Sequence, residues 1–230
     1  TNKSHNDIYI ITANDSPHVM QEIGRLREIA FRTAGGGTGK SMDIDEYDLG
    51  DNCYKQLIVW NPKSKEIIGG YRYLAGKNWK LDDKGQPKLA TSHMFHFSQK
   101  FLDEYMTCTV ELGRSFVSLD YQNIRKNTKS IFALDNLWDG LGALTVIIPD
   151  LKYFFGKMTM YPSFSKKGRD LILYFLKKHF EDKDKLIVPY TPLKSVTPES
   201  ELKSVLTADN FKDDYRNLNH TVRELGYNIP

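Results

Sequence analysis

Residues 110–117 (VELGRSFV) set an acid and a base, Glu111 and Arg114, three positions apart in a run that otherwise has the apolar character of a buried strand. Strand side chains alternate faces. Glu111 and Gly113 are therefore expected on one face, and Leu112 and Arg114 on the other. Charges in such a run cost free energy unless each has a partner or a task. Partners are available upstream in Arg27, Asp45, Asp48 and Arg72, each in a patterned segment of its own. The chain must therefore fold so that distant segments converge on one strand, around a buried ionic site.

The flanking pattern supplies the scaffold. Residues 7–13 (DIYIITA) read as a strand, and Ser16-Pro17 as an N-cap followed by proline at the first helical position. Val19, Ile23, Leu26 and Ala30 then recur at helical spacing to about Phe31. Strands are expected at 53–60 and 67–74, joined by the turn Asn61-Pro62-Lys63-Ser64, and at 107–118 and 153–160. Residues 95–105 read as a short helix. Residues 130–146 read as a helix with Ile131, Leu134, Leu137, Trp138 and Leu141 on its buried face. Residues 165–180 form a further helix, with Leu171, Tyr174, Phe175 and Leu176 inside, and weaker helical pieces follow at 202–206 and 211–225. A hairpin beside strand-helix-strand units implies an α/β fold, a mixed sheet with helices on both faces.

The bulk numbers narrow the function classes. A chain of 230 residues suits one large domain or two small ones. It has no apolar run long enough to span a membrane. A net charge of +3, without an arginine-rich arm, gives no case for nucleic acid. Cys53 and Cys108 are expected to be buried thiols. His93 and His96 have no further ligand near them in sequence, so no metal site is expected. The first residue is Thr, with no signal-peptide pattern after it, which suits a piece of a longer chain.

Residues 34–41 (AGGGTGKS) fit a relaxed phosphate-loop pattern, in which backbone amides and Lys40 would cradle phosphates. The context opposes it. A helix rather than a strand leads in, and Asp43, Asp45, Glu46 and Asp48 follow at once and would repel phosphate. A glycine-rich connection that ends a helix is the better reading, with a further role as a lid over a site.

Taken in order, Leu26-Arg27-Glu28-Ile29-Ala30-Phe31, Asp43-x-Asp45-x-x-Asp48, Ile68-Gly69-Gly70-Tyr71-Arg72, residues 110–117 and Leu137-Trp138-Asp139-Gly140-Leu141 resemble the acyl-carrier-protein-dependent N-acyltransferases of the GNAT superfamily. The nearest branch often carries a "hemolysin" label and includes the first-step acyltransferases of ornithine and glycine lipids. The acyl-homoserine-lactone synthases are more distant relatives. The resemblance covers residues 10–180. It implies a GNAT-like three-layer αβα fold, with a core over 1–185 and 186–230 as a helical or irregular extension of the same domain. It implies amide formation from an acyl thioester, with acyl-phosphopantetheine on acyl carrier protein or coenzyme A as co-substrate and no permanently bound cofactor. The acceptor is then an amino-acid amine, and the expected place is cytoplasmic, with possible peripheral contact at the inner membrane.

By that resemblance, Glu111 acts as base, directly or through water, and Arg114 pairs with an acid or orients substrate. Arg27, Phe31, Asp45, Asp48, Arg72 and Ser115 bind substrate or organise the site. The acyl-pantetheine arm lies between strands 107–118 and 153–160. On packing grounds alone, Phe31 and Trp138 read as core residues. Lys166, Lys167, Arg169, Lys177 and Lys178 form either a solvated helix face or a dock for the acidic carrier protein. Two departures stand out. The glycine-rich stretch sits where lactone synthases have a Trp-containing one, and residues 121–128 (YQNIRKNT) replace a pyrophosphate loop, which favours a protein-borne pantetheine. Other readings are a lactone synthase, an acetyl-CoA-dependent amine acetyltransferase, and a non-catalytic carrier-protein-binding module.

Overall fold

The computed structural model describes residues 5–122 and 131–229. The chain divides into two compact units, Thr1–His93 with Leu102–Lys157, and Met94–Phe101 with Met158–Pro230. The division falls after Lys157, earlier than the expected 185. The helix Lys166–His179 shares its apolar face with the helices that follow it.

The first unit is built on a five-stranded sheet, in the order β1 (Asp7–Ile11), β2 (Lys55–Asn61), β3 (Glu66–Ala75), β5 (Thr109–Val117), β6 (Tyr153–Gly156). Neighbours are antiparallel up to β5, and β5 and β6 run parallel. Strand β3 is central and buried along nearly its whole length. Its Ile-Gly-Gly-Tyr stretch lets the backbones close: a Cβ on Gly70 would lie 2.5 Å from the Leu57 carbonyl oxygen. Helix α1 (Pro17–Thr33) covers one face. Met20, Ile23 and Ala30 meet Ile58, Ile67 and Phe116 there. Helix α3 (Ile131–Ile147) covers the other, where Ala133, Leu137 and Leu144 meet Leu57, Tyr71, Tyr73 and Val110. Helix, sheet, helix is the expected three-layer arrangement.

Several local readings change. Trp138 and Leu134 are 69% and 62% exposed, not core. Helix α3 is apolar nearly all round, so periodicity could not choose its buried face. Leu176, expected inside, is also exposed. Ser16 starts α1 without a side-chain cap bond. Residues 95–105 split into strand β4 (Phe95–Phe97) and helix α2 (Gln99–Glu104), because the alternation in Phe-His-Phe serves a ladder with β7 (Ile187–Pro189). Strand β6 ends at Gly156, short of the expected 160. Cys53 is buried, Cys108 is partly exposed, and both are free thiols. Of residues 121–128, only 121 and 122 are among the described residues.

In the second unit, α4 (Lys166–His179), α5 (Glu199–Val205) and α6 (Phe211–Glu224) enclose Leu171, Phe175, Leu202, Leu218 and Val222. Lys167 pairs with Glu201, Arg169 with Asp170, and Lys178 with Asp214. Three of the five cations considered for docking thus have partners inside the unit. Among the described residues no helix is long and apolar enough to cross a membrane.

Candidate active site

The acidic loop is seated on α1 by a close approach. Gly24 has its carbonyl bonded to the Asp43 amide at 2.9 Å, and a Cβ there would lie 2.5 Å from the Ile44 side chain. The loop then makes one helical turn, Glu46–Asp48. The Asp45 carboxylate accepts the Tyr47 amide at 3.0 Å, and the Asp48 carboxylate accepts the Asp45 amide at 3.2 Å. This reciprocal capping fixes both carboxylates before any arginine reaches them.

Three arginines from three elements converge on the loop. Arg27, fully buried on α1, donates to both Asp48 oxygens at 3.2 Å and to the Gln56 side-chain oxygen. Arg72 on β3 contacts Asp45 at 2.6 Å and Asp48 at 3.1 Å. Arg114 on β5 contacts Asp43 at 3.0 Å and Asp45 at 3.3 Å. Arg27, Arg72 and Arg114 thus balance Asp43, Asp45 and Asp48 in charge. Burial alone would raise the Asp48 carboxyl, but the Arg27 and Arg72 charges outweigh it and hold the group below its ordinary value. Burial raises the Asp43 carboxyl despite Arg114.

Simple alternation puts Glu111 and Arg114 on opposite faces, yet Arg114 joins the face that carries Arg72. The reason is a bulge. Arg72 pairs with Gly113 and Gly70 with Phe116, so Arg114 and Ser115 together stand opposite Tyr71. Arg114 takes the left-handed region, φ 51°, which a residue with a side chain occupies at some cost. Ser115 is exposed at the bulge. Phe31 packs against the α1 cluster as an apolar side chain.

Glu111 differs from the other acids of this face. It is 1% exposed and makes no ion pair within the described residues. Thr91 donates to one of its oxygens at 2.6 Å, and the Tyr54 hydroxyl donates to the other. Tyr54 in turn accepts the Ala90 amide at 3.1 Å, and its ring lies 5.0 Å from the Arg72 guanidinium carbon. Burial raises the Glu111 carboxyl above its ordinary value, and the two hydroxyl donors and Arg72 limit the rise. Burial, with Glu111 beside it, raises the Tyr54 phenol so far that it stays a neutral donor. Tyr54, Gln56 and Thr91 are not singled out by the sequence, and Asp43 enters there only as the first acid of the loop motif and not as a site residue. Tyr54 and Gln56 lie two residues apart near the start of a strand, a spacing that puts them on one face, which was the available signal.

The glycine-rich loop is also explained. The Thr38 amide and hydroxyl and the Gly39 amide all donate to the Glu28 carboxylate, at 2.8, 2.6 and 3.0 Å, and Arg32 adds two more bonds. The Thr38 hydroxyl and these companions pull the Glu28 carboxyl down to about 2. The donors that a phosphate would need are occupied by the chain's own anion.

A helix-sheet-helix sandwich with a bulged strand beside a parallel edge strand, and a buried carboxylate next to that bulge, has the architecture of an acyl-transfer enzyme, and the comparisons agree. The family model of the acetyltransferase (GNAT) domain matches residues 26–129, which takes in every arginine and acid of the site. Over all 230 residues the chain is 66% identical to a glycine N(alpha)-acyltransferase of Phocaeicola vulgatus, covering 71% of that protein. It is 64% identical to a glycine N(alpha)-acyltransferase of Bacteroides thetaiotaomicron, covering 68% of it. The chain belongs to the N-acyltransferases of the GNAT superfamily. Among solved structures, an aminoglycoside acetyltransferase from an uncultured soil metagenomic sample matches at TM-score 0.38 and 12% identity, over 68% of this chain and 82% of that one, a likeness too loose to carry an argument.

Proposed function

We propose that this N-acyltransferase moves a long fatty acyl group from acyl carrier protein to the amine of glycine, giving an N-acyl amino acid that serves as a lipid precursor. The acceptor is taken from the relatives of 66% and 64% identity, both glycine N(alpha)-acyltransferases. One observation carries the mechanism: Glu111 is a buried carboxylate held by two neutral hydroxyls and left out of the arginine–aspartate balance. A carboxylate of raised pKa in that setting suits a general base near neutral pH.

Glu111 takes the proton of the acceptor amine, directly or through one water. The amine nitrogen attacks the thioester carbonyl carbon, an N–C bond forms, and the C–S bond breaks as the thiolate leaves and is protonated. The oxyanion of the intermediate needs donors. Among the described residues the β5 backbone beyond Leu112 has no partner strand on the β6 side, and it is the natural source. Arg27, Arg72, Asp45 and Asp48 hold the loop and strands in register around this point. Phe31 acts by packing, and Arg114 faces the substrate.

The test is a mass-spectrometric transfer assay with palmitoyl acyl carrier protein or palmitoyl coenzyme A, against glycine, serine, ornithine, lysine and homoserine. N-palmitoylglycine formed from the carrier-protein donor, and lost in Glu111→Gln, is the expected result. Product from the coenzyme A donor alone would overturn the donor assignment. A different acylated amine would overturn the acceptor.

A further inference from the structure

The ladder between β5 and β6 stops at Leu112↔Gly156, while β5 runs on to Val117. Lys157 is the next residue after that last pair, and the Arg114 bulge starts two positions past it on the other strand. Two cations therefore stand at the mouth where the strands part. Their surroundings differ from those of the buried arginines. Arg114 keeps about a third of its side chain exposed even with Asp43 and Asp45 in contact. Lys157 is exposed and, among the described residues, makes no ion pair. Partial desolvation, and then the Arg114 charge, hold the Lys157 ammonium below its ordinary value. Two cations at one strand opening, with no acid paired to the lysine among the described residues, leave a place suited to an oxyanion.

We infer that Lys157 and Arg114 together bind the carboxylate of the amino-acid acceptor at the opening between β5 and β6, with Lys157 as a specificity-determining residue. The inference rests on the reading of the chain as an amino-acid N-acyltransferase. Two co-substrate groups could supply an oxyanion here, the acceptor carboxylate and the phosphate of the pantetheine arm. The carboxylate is favoured because Arg114 is tied through Asp45 to Arg72, whose guanidinium lies against the Tyr54 ring, and Tyr54 holds Glu111. The acceptor is the substrate whose amine must reach that base. An α-amino acid carries its amine one carbon from its carboxylate, so anchoring one end orients the other.

The experiment compares glycine with glycinamide as acceptors, at saturating palmitoyl acyl carrier protein, in wild type, Lys157→Met and Lys157→Arg. Wild type is expected to prefer glycine. Lys157→Met is expected to raise KM for glycine about tenfold or more, the scale of a lost charge-assisted hydrogen bond, while KM for the acyl donor holds. The preference over glycinamide then shrinks, and Lys157→Arg restores most of it. A Lys157→Met enzyme with unchanged discrimination overturns the inference. So does a rise confined to the donor KM, which would assign the site to the pantetheine phosphate. Failure of wild type to acylate glycine at all overturns the acceptor reading itself, and is told apart from the other failures by the wild-type rate alone.

Discussion

The Tyr54 hydroxyl accepts the Ala90 amide and gives its only proton to the Glu111 carboxylate. That bond favours the charged form of Glu111, against the burial that disfavours it. Removing the donor in Tyr54→Phe should push the Glu111 carboxyl higher still. The acidic limb of the kcat/KM profile is expected to move to higher pH, with a smaller loss on the alkaline side. A profile measured in both enzymes decides it. A parallel drop with no shift of the limb would separate Tyr54 from the base.

Glu111→Gln keeps the shape and removes the proposed proton acceptor. Transfer should fall by about 10²–10⁴, the usual span for a general base. Stability should behave differently. A carboxyl whose folded value lies above its unfolded one contributes stability below the unfolded value and loses it as pH rises through the folded one. Glutamine carries no buried charge, so the variant should melt no lower than wild type wherever the Glu111 carboxyl is ionised. Paired rate and melting measurements at pH 7 check both halves. A strong loss of folding would recast Glu111 as structural.

Arg27 and Arg114 offer a contrast within one network. Arg27 is fully buried against Asp48, and Arg27→Met should cost about 3–5 kcal/mol of stability, as removing one partner of a buried pair does. Arg114 is about one-third exposed, and Arg114→Gln should cost about 1 kcal/mol or less. The transfer rate of Arg114→Gln should nevertheless drop by more than about tenfold, if Arg114 faces the substrate as proposed. Chemical denaturation beside the transfer assay reads both. Equal stability losses would make the two arginines alike in role.

Glu28 gives a prediction in acid. Its carboxyl sits at about 2 in the folded chain, below the ordinary 4.5. A depressed acid contributes stability above its unfolded value and loses it as pH falls through the folded one. Glu28→Gln should therefore melt lower than wild type at pH 7, and the gap should close between about pH 4.5 and 2. A gap as wide at pH 2.5 as at pH 7 would mean the loop is held by something other than that charge.

Much of the scaffold could be read in advance because the patterns were local. Val19, Ile23 and Ala30 mark α1, and the apolar runs flanking Gly69 and Gly70 mark β3. Helix α3 was located but not oriented, since Leu134 and Trp138 look as apolar as Leu137 and only the sheet decides between them. The charged residues of the site were recognisable, but their grouping was not. Period-two counting separates Glu111 from Arg114, and the bulge that reunites them depends on how β3 pairs with β5, which no local window contains. Gly113 inside the strand was the one hint of irregularity. Tyr54 and Thr91 carry no charge, and their value comes only from standing beside Glu111.

The Glu28 knot around Thr38 and Gly39 has a wider meaning for reading motifs. A free nucleotide reaching those amides would compete with a carboxylate anchored ten and eleven residues away, whose effective concentration is in the millimolar range or above and never dilutes. The same glycine spacing that elsewhere makes a receptor for phosphate here makes a closed circuit. A pattern of donors describes an appetite for an anion, and a chain that carries the anion in its preceding helix has already fed it.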